Sequence, residues 1–232
     1  MDPSRSPSTN ARPSVKRLRV LFASGITGLY TAACAAGAFG YRAILYPAPQ
    51  VDHAVPPPGV KLLELRASDG VTVHALEFPN PSASRTVVYF HGNGEVIGDE
   101  IWMAQRIVAA GFSVVLVEYR GYGRSRGTTP SEDGLYADAT AALDDLASRG
   151  VGADRIVLWG LSLGTGVAIE MAKRGRGAAL VVVAPYTSIP DMAARMVPFL
   201  PVRLWWATGS TTSRRRRRFA CRRWSFTGPT TR

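Results

Sequence analysis

Ile156-Val157-Leu158-Trp159-Gly160-Leu161-Ser162-Leu163-Gly164-Thr165-Gly166 is the stretch on which the reading of this chain turns. An apolar run breaks into small residues around one serine, and Val167-Ala168-Ile169-Glu170-Met171-Ala172 then resumes at helical spacing. The pattern predicts a strand, a sharp turn and a helix, with Ser162 at the tip. A serine at such a turn is held in strained backbone geometry with its Oγ pushed out of the sheet, and Gly160 and Gly164 let strand and helix approach. Glycine and serine are common in loops, so G-x-S-x-G says little by itself. The flanking strand and helix are what make it a nucleophile elbow.

Upstream, Thr86-Val87-Val88-Tyr89-Phe90 is a short continuous apolar run ending in His91-Gly92-Asn93-Gly94. Ile101 to Ala110 has helical spacing and stops at Gly111. Ser113 to Glu118 reads as another buried strand, followed by the glycine-dense Tyr119-Arg120-Gly121-Tyr122-Gly123-Arg124-Ser125. Ser131, Glu132 and Asp133 favour the start of a helix running to Arg149, ahead of Gly150. Val60 to Arg66 and Val71 to Phe78 flank the turn signal Ser68-Asp69-Gly70, and Ala179 to Ala184 is one more strand. Strands alternating with helices imply an α/β fold, a mostly parallel sheet covered on both faces. Functional groups then belong at the carboxyl ends of the strands, where His91 to Gly94, Tyr119 to Ser125 and Ser162 converge on one mouth.

The ends of the chain differ in kind. Residues 2–14 are rich in Ser, Pro and Arg and cannot bury a core. The 22 residues from Val20 to Tyr41 carry no charge and are long enough to span a bilayer. Lys16, Arg17 and Arg19 hold the preceding N-terminus in the cytoplasm by the positive-inside bias, which puts the following domain on the extracytoplasmic side. Ala33-Cys34-Ala35 also fits a cleavable signal region, and Thr31-Ala32-Ala33-Cys34 loosely resembles a lipoprotein box without its usual leucine; a buried soluble helix is a third reading. The expected order is a basic N-terminus (1–19), a transmembrane anchor (20–45), a proline-rich stiff spacer (46–59), an α/β domain (60–202) and an arginine-rich tail (203–232).

The net charge of +11 invites a nucleic-acid reading until it is divided along the chain. Residues 1–19 carry +4 and residues 203–232 carry nine arginines and no acid, which leaves −2 for everything between. Nucleic acid is therefore not the expected partner of the folded part. Cys34 and Cys221 lie far apart in unlike segments, so no disulfide framework is indicated.

The order strand-His-Gly-Asn-Gly, strand-Tyr-Arg-Gly-Tyr-Gly-Arg-Ser, strand-Gly-Leu-Ser-Leu-Gly resembles the α/β-hydrolase superfamily, in particular its membrane-anchored, serine aminopeptidase-like members. The resemblance covers roughly residues 45–202. It implies Ser162 as the nucleophile of a serine hydrolase acting on an acyl ester, thioester or amide, on a small-molecule or lipid substrate. It also implies an oxyanion hole made by the backbone N–H groups of Leu163 and Asn93, worth roughly 3–4 kcal/mol per donor. No cofactor or metal is expected. His91 precedes the elbow, whereas the family places its histidine last, so His91 reads as a structural loop residue. Tyr119 to Ser125 reads as scaffold, and Glu118 and Asp138 as solvated or structural.

The family then needs two further strands, bearing an acid and a histidine. The three histidines here are His53, His74 and His91, all before Ser162, and Asp191 is the one acid beyond the elbow helix. Past Arg203 the composition breaks abruptly into Trp, Thr, Ser and Arg, which points to a shifted reading frame and loss of the C-terminal strands. If one base is missing near Leu204, each restored codon takes the last base of the preceding codon and the first two of the present one. Trp206 then becomes valine and Ala207 glycine without choice. With synonymous codons chosen for it, GGA at Gly228 among them, Trp224 to Thr231 becomes Val-Val-Val-His-Gly-Thr-Asp-Asp, similar to the family's late strand that carries the acid. The rival from another class is a noncatalytic membrane-tethered protein that binds acidic partners through Arg214 to Arg218.

Overall fold

Three apolar runs with no polar alternation form the middle of the sheet, because a strand covered on both faces has no side to give to water. They are β3 (Thr86–Phe90), β4 (Ser113–Val117) and β5 (Ile156–Leu161), paired in parallel with β3 at the centre. The computed structural model describes residues 15–50 and 55–185. The disordered N-terminus expected over 2–14, Asp191 and the arginine-rich tail lie outside the described residues.

The six strands run in the order β1-β2-β4-β3-β5-β6. β1 (Lys61–Arg66) and β2 (Thr72–Phe78) form the expected hairpin, and β2 also meets β4 antiparallel, so the sheet is mixed. β6 (Ala179–Val183) pairs in parallel with β5. In the hairpin turn Gly70 adopts φ +85°, a conformation glycine enters without a Cβ penalty.

Alternate residues of the central strands face opposite sides. Val88, Phe90, Val115, Val117, Ile156 and Leu158 pack under α3 (Glu132–Ser148) and α4 (Leu163–Lys173). Val87, Tyr89, Val114, Leu116 and Val157 pack under α2 (Ile101–Ala109) through Ala104 and Ile107. Ser131 caps α3, its hydroxyl accepting from the Gly134 N–H at 3.2 Å, with Glu132 and Asp133 in the first turn. On β6, the outermost strand among the described residues, Leu180, Val182 and Val183 remain exposed.

The N-terminal apolar stretch is one helix, α1 (Val15–Leu45). Over Val15–Gly37 it is long and apolar enough to cross a membrane. The segment after it, read as a stiff spacer between anchor and domain, rests on the domain over Tyr46 to Gln50. Tyr46 and Ala48 are buried in the core beneath α3 and α4. The Gly123 N–H donates to the Pro49 carbonyl at 2.6 Å, and the Gln50 side-chain amide donates to the Gly121 carbonyl at 2.5 Å. The prolines suggest a stiff rod, but a tyrosine and an alanine placed between them have apolar surface to bury, and the domain provides the site.

Candidate active site

β3 and β5 are in register at Phe90 and Gly160, and β3 and β4 at Phe90 and Val117. The chain therefore leaves three adjacent strands at one level. His91, Glu118 and Leu161-Ser162 emerge together at the carboxyl end of the sheet.

Ser162 sits at φ +46°, ψ −111°, in the left-handed region that an L residue enters at a cost. Two features hold it there. Its N–H donates to the Val183 carbonyl at 2.9 Å, and its carbonyl accepts from the Thr165 N–H at 2.9 Å and the Thr165 hydroxyl at 2.6 Å. Although Ser162 occupies the N-cap of α4, its side chain caps no helix N–H, and the residue is exposed. The hydroxyl is thus left free of the helix end on an exposed residue.

The two glycines explain the tightness of the turn. A Cβ on Gly160 would fall 2.6 Å from the Gly164 carbonyl carbon and 2.7 Å from Thr165 Cα. On Gly164 it would fall 2.6 Å from the Phe90 carbonyl carbon and 2.8 Å from the His91 carbonyl oxygen. Every one of these neighbours is backbone and cannot rotate away. Gly164→Ala is expected to cost about 3 kcal/mol by overpacking, read as a lowered urea midpoint with unchanged m. Wild-type stability in that variant would show that α4 can shift.

The loop after β3 is held on all sides. Gly92 donates its N–H to Glu95 Oε2 at 2.6 Å, so the N–H of Asn93 is the next one along the loop. The Asn93 side chain donates to the Leu45 carbonyl at 2.6 Å and accepts from the Tyr122 hydroxyl at 2.7 Å. The side chain is thus structural, leaving the backbone as the part of Asn93 able to face a substrate. Leu163 opens α4 directly after Ser162, with its side chain buried.

His91 is 1% exposed, and its Nδ1 donates to the Gly92 carbonyl at 2.9 Å. Its Nε2 lies 3.1 Å from Glu118 Oε1, close enough for an ion pair but without hydrogen-bond alignment. The ring packs against Tyr119 at 4.2 Å and Tyr122 at 5.4 Å between centroids, and the Tyr119 hydroxyl donates to the His91 carbonyl at 3.1 Å. With Nδ1 bonded to its own loop and the ring packed between two tyrosines, the buried imidazole braces the loop. Burial, and then the nearby Glu118 charge, push the Tyr122 hydroxyl above its ordinary pKa, so it stays a donor to Asn93.

Glu118 and Asp138 are fully buried, so the solvated reading of both is set aside in favour of the structural one. Glu118 Oε2 accepts from the Ile97 N–H at 3.4 Å. Asp138 is bound by Arg120 through its backbone N–H at 2.8 Å, Nε at 3.0 Å and Nη2 at 2.7 Å. Arg120 also reaches Asp69 in the β1–β2 turn, with Nη1 to Oδ2 at 2.5 Å. One guanidinium thereby ties the loop after β4, helix α3 and the hairpin turn together. The sequence contains these charges but no spacing that reveals their pairing.

His74 is bonded elsewhere, its backbone N–H donating to Ser125 Oγ at 2.9 Å and its ring Nδ1 lying 3.3 Å from the same oxygen, and His53 lies outside the described residues. Among the described residues no group of three or more His, Cys, Asp or Glu could hold a metal ion.

Comparison with known proteins places this arrangement. The family described as serine aminopeptidase, S33, matches residues 81–219. Over 144 residues the chain is 35% identical to protein bem46 of Schizosaccharomyces pombe, covering 59% of this chain and 48% of that one. Over 155 residues it is 37% identical to the α/β-hydrolase domain-containing protein WAV2 of Arabidopsis thaliana, covering 64% and 49%. The chain spans about half the length of the curated relatives it matches. Among solved structures, the Pyrococcus furiosus esterase Pf2001 superposes with a TM-score of 0.56 at 20% identity, covering 70% of this chain and 68% of that one.

Proposed function

We propose that this chain, which belongs to the serine aminopeptidase S33 family of α/β-hydrolases, is built to cleave acyl esters, thioesters or amides with Ser162 as nucleophile. The observation that carries the reading is the exposed serine at φ +46°, locked between two glycines that tolerate no Cβ, with its hydroxyl spent on no helix cap. In the reaction Ser162 Oγ bonds to the acyl carbon, its proton leaves to a base, and the bond to the leaving alcohol, thiol or amine breaks as that group takes the proton. Water then repeats the sequence to release the acid. The Leu163 and Asn93 N–H groups are the proposed donors to the developing oxyanion.

Among the described residues no histidine follows Ser162 to serve as that base. His91 is turned into the core, and no histidine follows Ser162 in the sequence. The abrupt change of composition after Arg203 supports a frame shifted near Leu204 as the cause. Resequencing those codons, with the mass of the C-terminal peptide, checks it directly; an uninterrupted frame would defeat it. α1 supports a membrane-anchored form with the N-terminus cytoplasmic and the hydrolase domain on the other side.

A fluorophosphonate probe tests the nucleophile. Slow labelling of the full chain at Ser162, absent from Ser162→Ala, is the expected result. Labelling unchanged by that substitution, or none at all, would remove catalysis from this chain and leave the rival role of a membrane-tethered protein binding acidic partners through its basic tail.

A further inference from the structure

The mouth of the candidate site and the end of the membrane helix are the same place. Leu45, the last residue of α1, accepts the hydrogen bond from Asn93 in the loop proposed to hold the oxyanion. The following residues continue along the same end of the sheet: Pro47 lies 3.7 Å from the position of a Gly94 Cβ, and Pro49 and Gln50 bond the loop after β4. Gly37 closes the apolar window of α1, and Leu45 comes eight residues later in the same helix. At the rise of an α-helix that interval is about 12 Å. The headgroup layer occupies about 5–8 Å of it. The carboxyl end of the sheet is therefore held within a few ångströms of the membrane surface. Trp102, in the first turn of α2 at this same end, is 54% exposed, as suits an aromatic ring at a membrane–water interface.

We propose that the carboxyl end of the sheet faces the bilayer from which α1 emerges, and that Ser162 takes its acyl substrate from that leaflet: a membrane-resident lipid ester. The substrate part of this inference rests on the serine-hydrolase reading above; the orientation does not. A short, pinned tether fixes which end of the domain meets the lipid. A loose linker would leave every face equally accessible.

The test uses the full chain with Cys34→Ser and Cys221→Ser, reconstituted in phosphatidylcholine–phosphatidylglycerol vesicles containing a headgroup nitroxide lipid. A fluorophore is attached at Trp102→Cys or, as a second reporter in the exposed loop after β4, at Arg126→Cys. Ser84→Cys, exposed before β3 at the opposite end of the sheet, is the control. Quenching is expected to be about twofold or more stronger at 102 and 126 than at 84, given the depth of the headgroup layer. Inserting twenty Gly and Ser residues between Leu45 and Tyr46 should erase the difference. Equal quenching at both ends, stronger quenching at 84, or a difference that survives the insertion would each overturn the orientation.

A second arm reads the substrate. A long-chain alkyl fluorophosphonate carried in the vesicles should label Ser162 at least about tenfold faster than a short water-soluble one, since each added methylene favours the lipid phase. Equal rates would overturn the lipid substrate while leaving the nucleophile. No labelling by either probe, with the quenching pattern intact, would bring down the hydrolase reading and leave the orientation standing.

Discussion

Returning one base at the Leu204 codon should raise acyl-ester turnover by about 10³-fold or more over the present chain, the range that a general base and a completed triad supply. The reasoning is one of supply. On the proposed reading Ser162, exposed at φ +46°, is the nucleophile, and what the shifted tail withholds is a group to take its proton. Under the proposed shift, and with synonymous codons chosen for it, Trp224 to Thr231 reads Val-Val-Val-His-Gly-Thr-Asp-Asp, similar to the late strand on which the family carries its acid. Hydrolysis of a p-nitrophenyl ester by the two forms measures the gain. Ser162→Ala in the restored form should return the rate to background. A restored chain no faster than the present one would show that the tail is not what limits Ser162.

Arg120→Ala should cost about 3–5 kcal/mol in urea unfolding, because it leaves Asp138 wholly buried without its cation. Asp69 matters less, since its side chain is 46% exposed and water screens its pair with Arg120. The deficit should also depend on pH. Burial already raises the Asp138 carboxyl above its ordinary pKa, with Arg120 opposing that rise. Once the guanidinium is gone, the folded-state pKa stands further above the unfolded value. A group shifted that way loses stability as pH rises, at about 1.4 kcal/mol per pH unit between the two values. Unfolding at pH 5.5 and pH 8 should therefore show the larger penalty at pH 8. Arg120→Met with Asp138→Leu should recover part of the loss; the Arg120 N–H, now without its acceptor, keeps about 1–3 kcal/mol of it. A deficit flat in pH would mean that Asp138 is not its source.

The sheet and the tight turn at Ser162 were legible because their signals are local. Unbroken apolar runs such as Thr86–Phe90 report burial on both faces, and Gly-Leu-Ser-Leu-Gly reports a turn too tight for side chains. Ser131 with Glu132 and Asp133 marked the start of α3 to the residue. The bracing of the site was not legible. Arg120 meets Asp138 across 18 positions and Asp69 across 51, and neither partner stands at a spacing that chain geometry would single out. His91 was read as structural from its order in the chain, but its packing between two tyrosines beside Glu118 is a property of three strands ending at one level. The docking of Tyr46 to Gln50 was not legible in a segment read as a stiff spacer. Its prolines are visible to any composition count, whereas the pockets that receive Tyr46 and Ala48 exist only in the folded domain.

That docked segment removes the convenient cut site from the molecule. A recombinant fragment begun at Val60, where strand pattern starts, would discard two core side chains and the acceptor that anchors Asn93. Water-soluble preparations should start no later than Leu45, carrying the end of α1 with them. Detaching the domain from its anchor and unmaking part of its interior are, in this protein, the same operation.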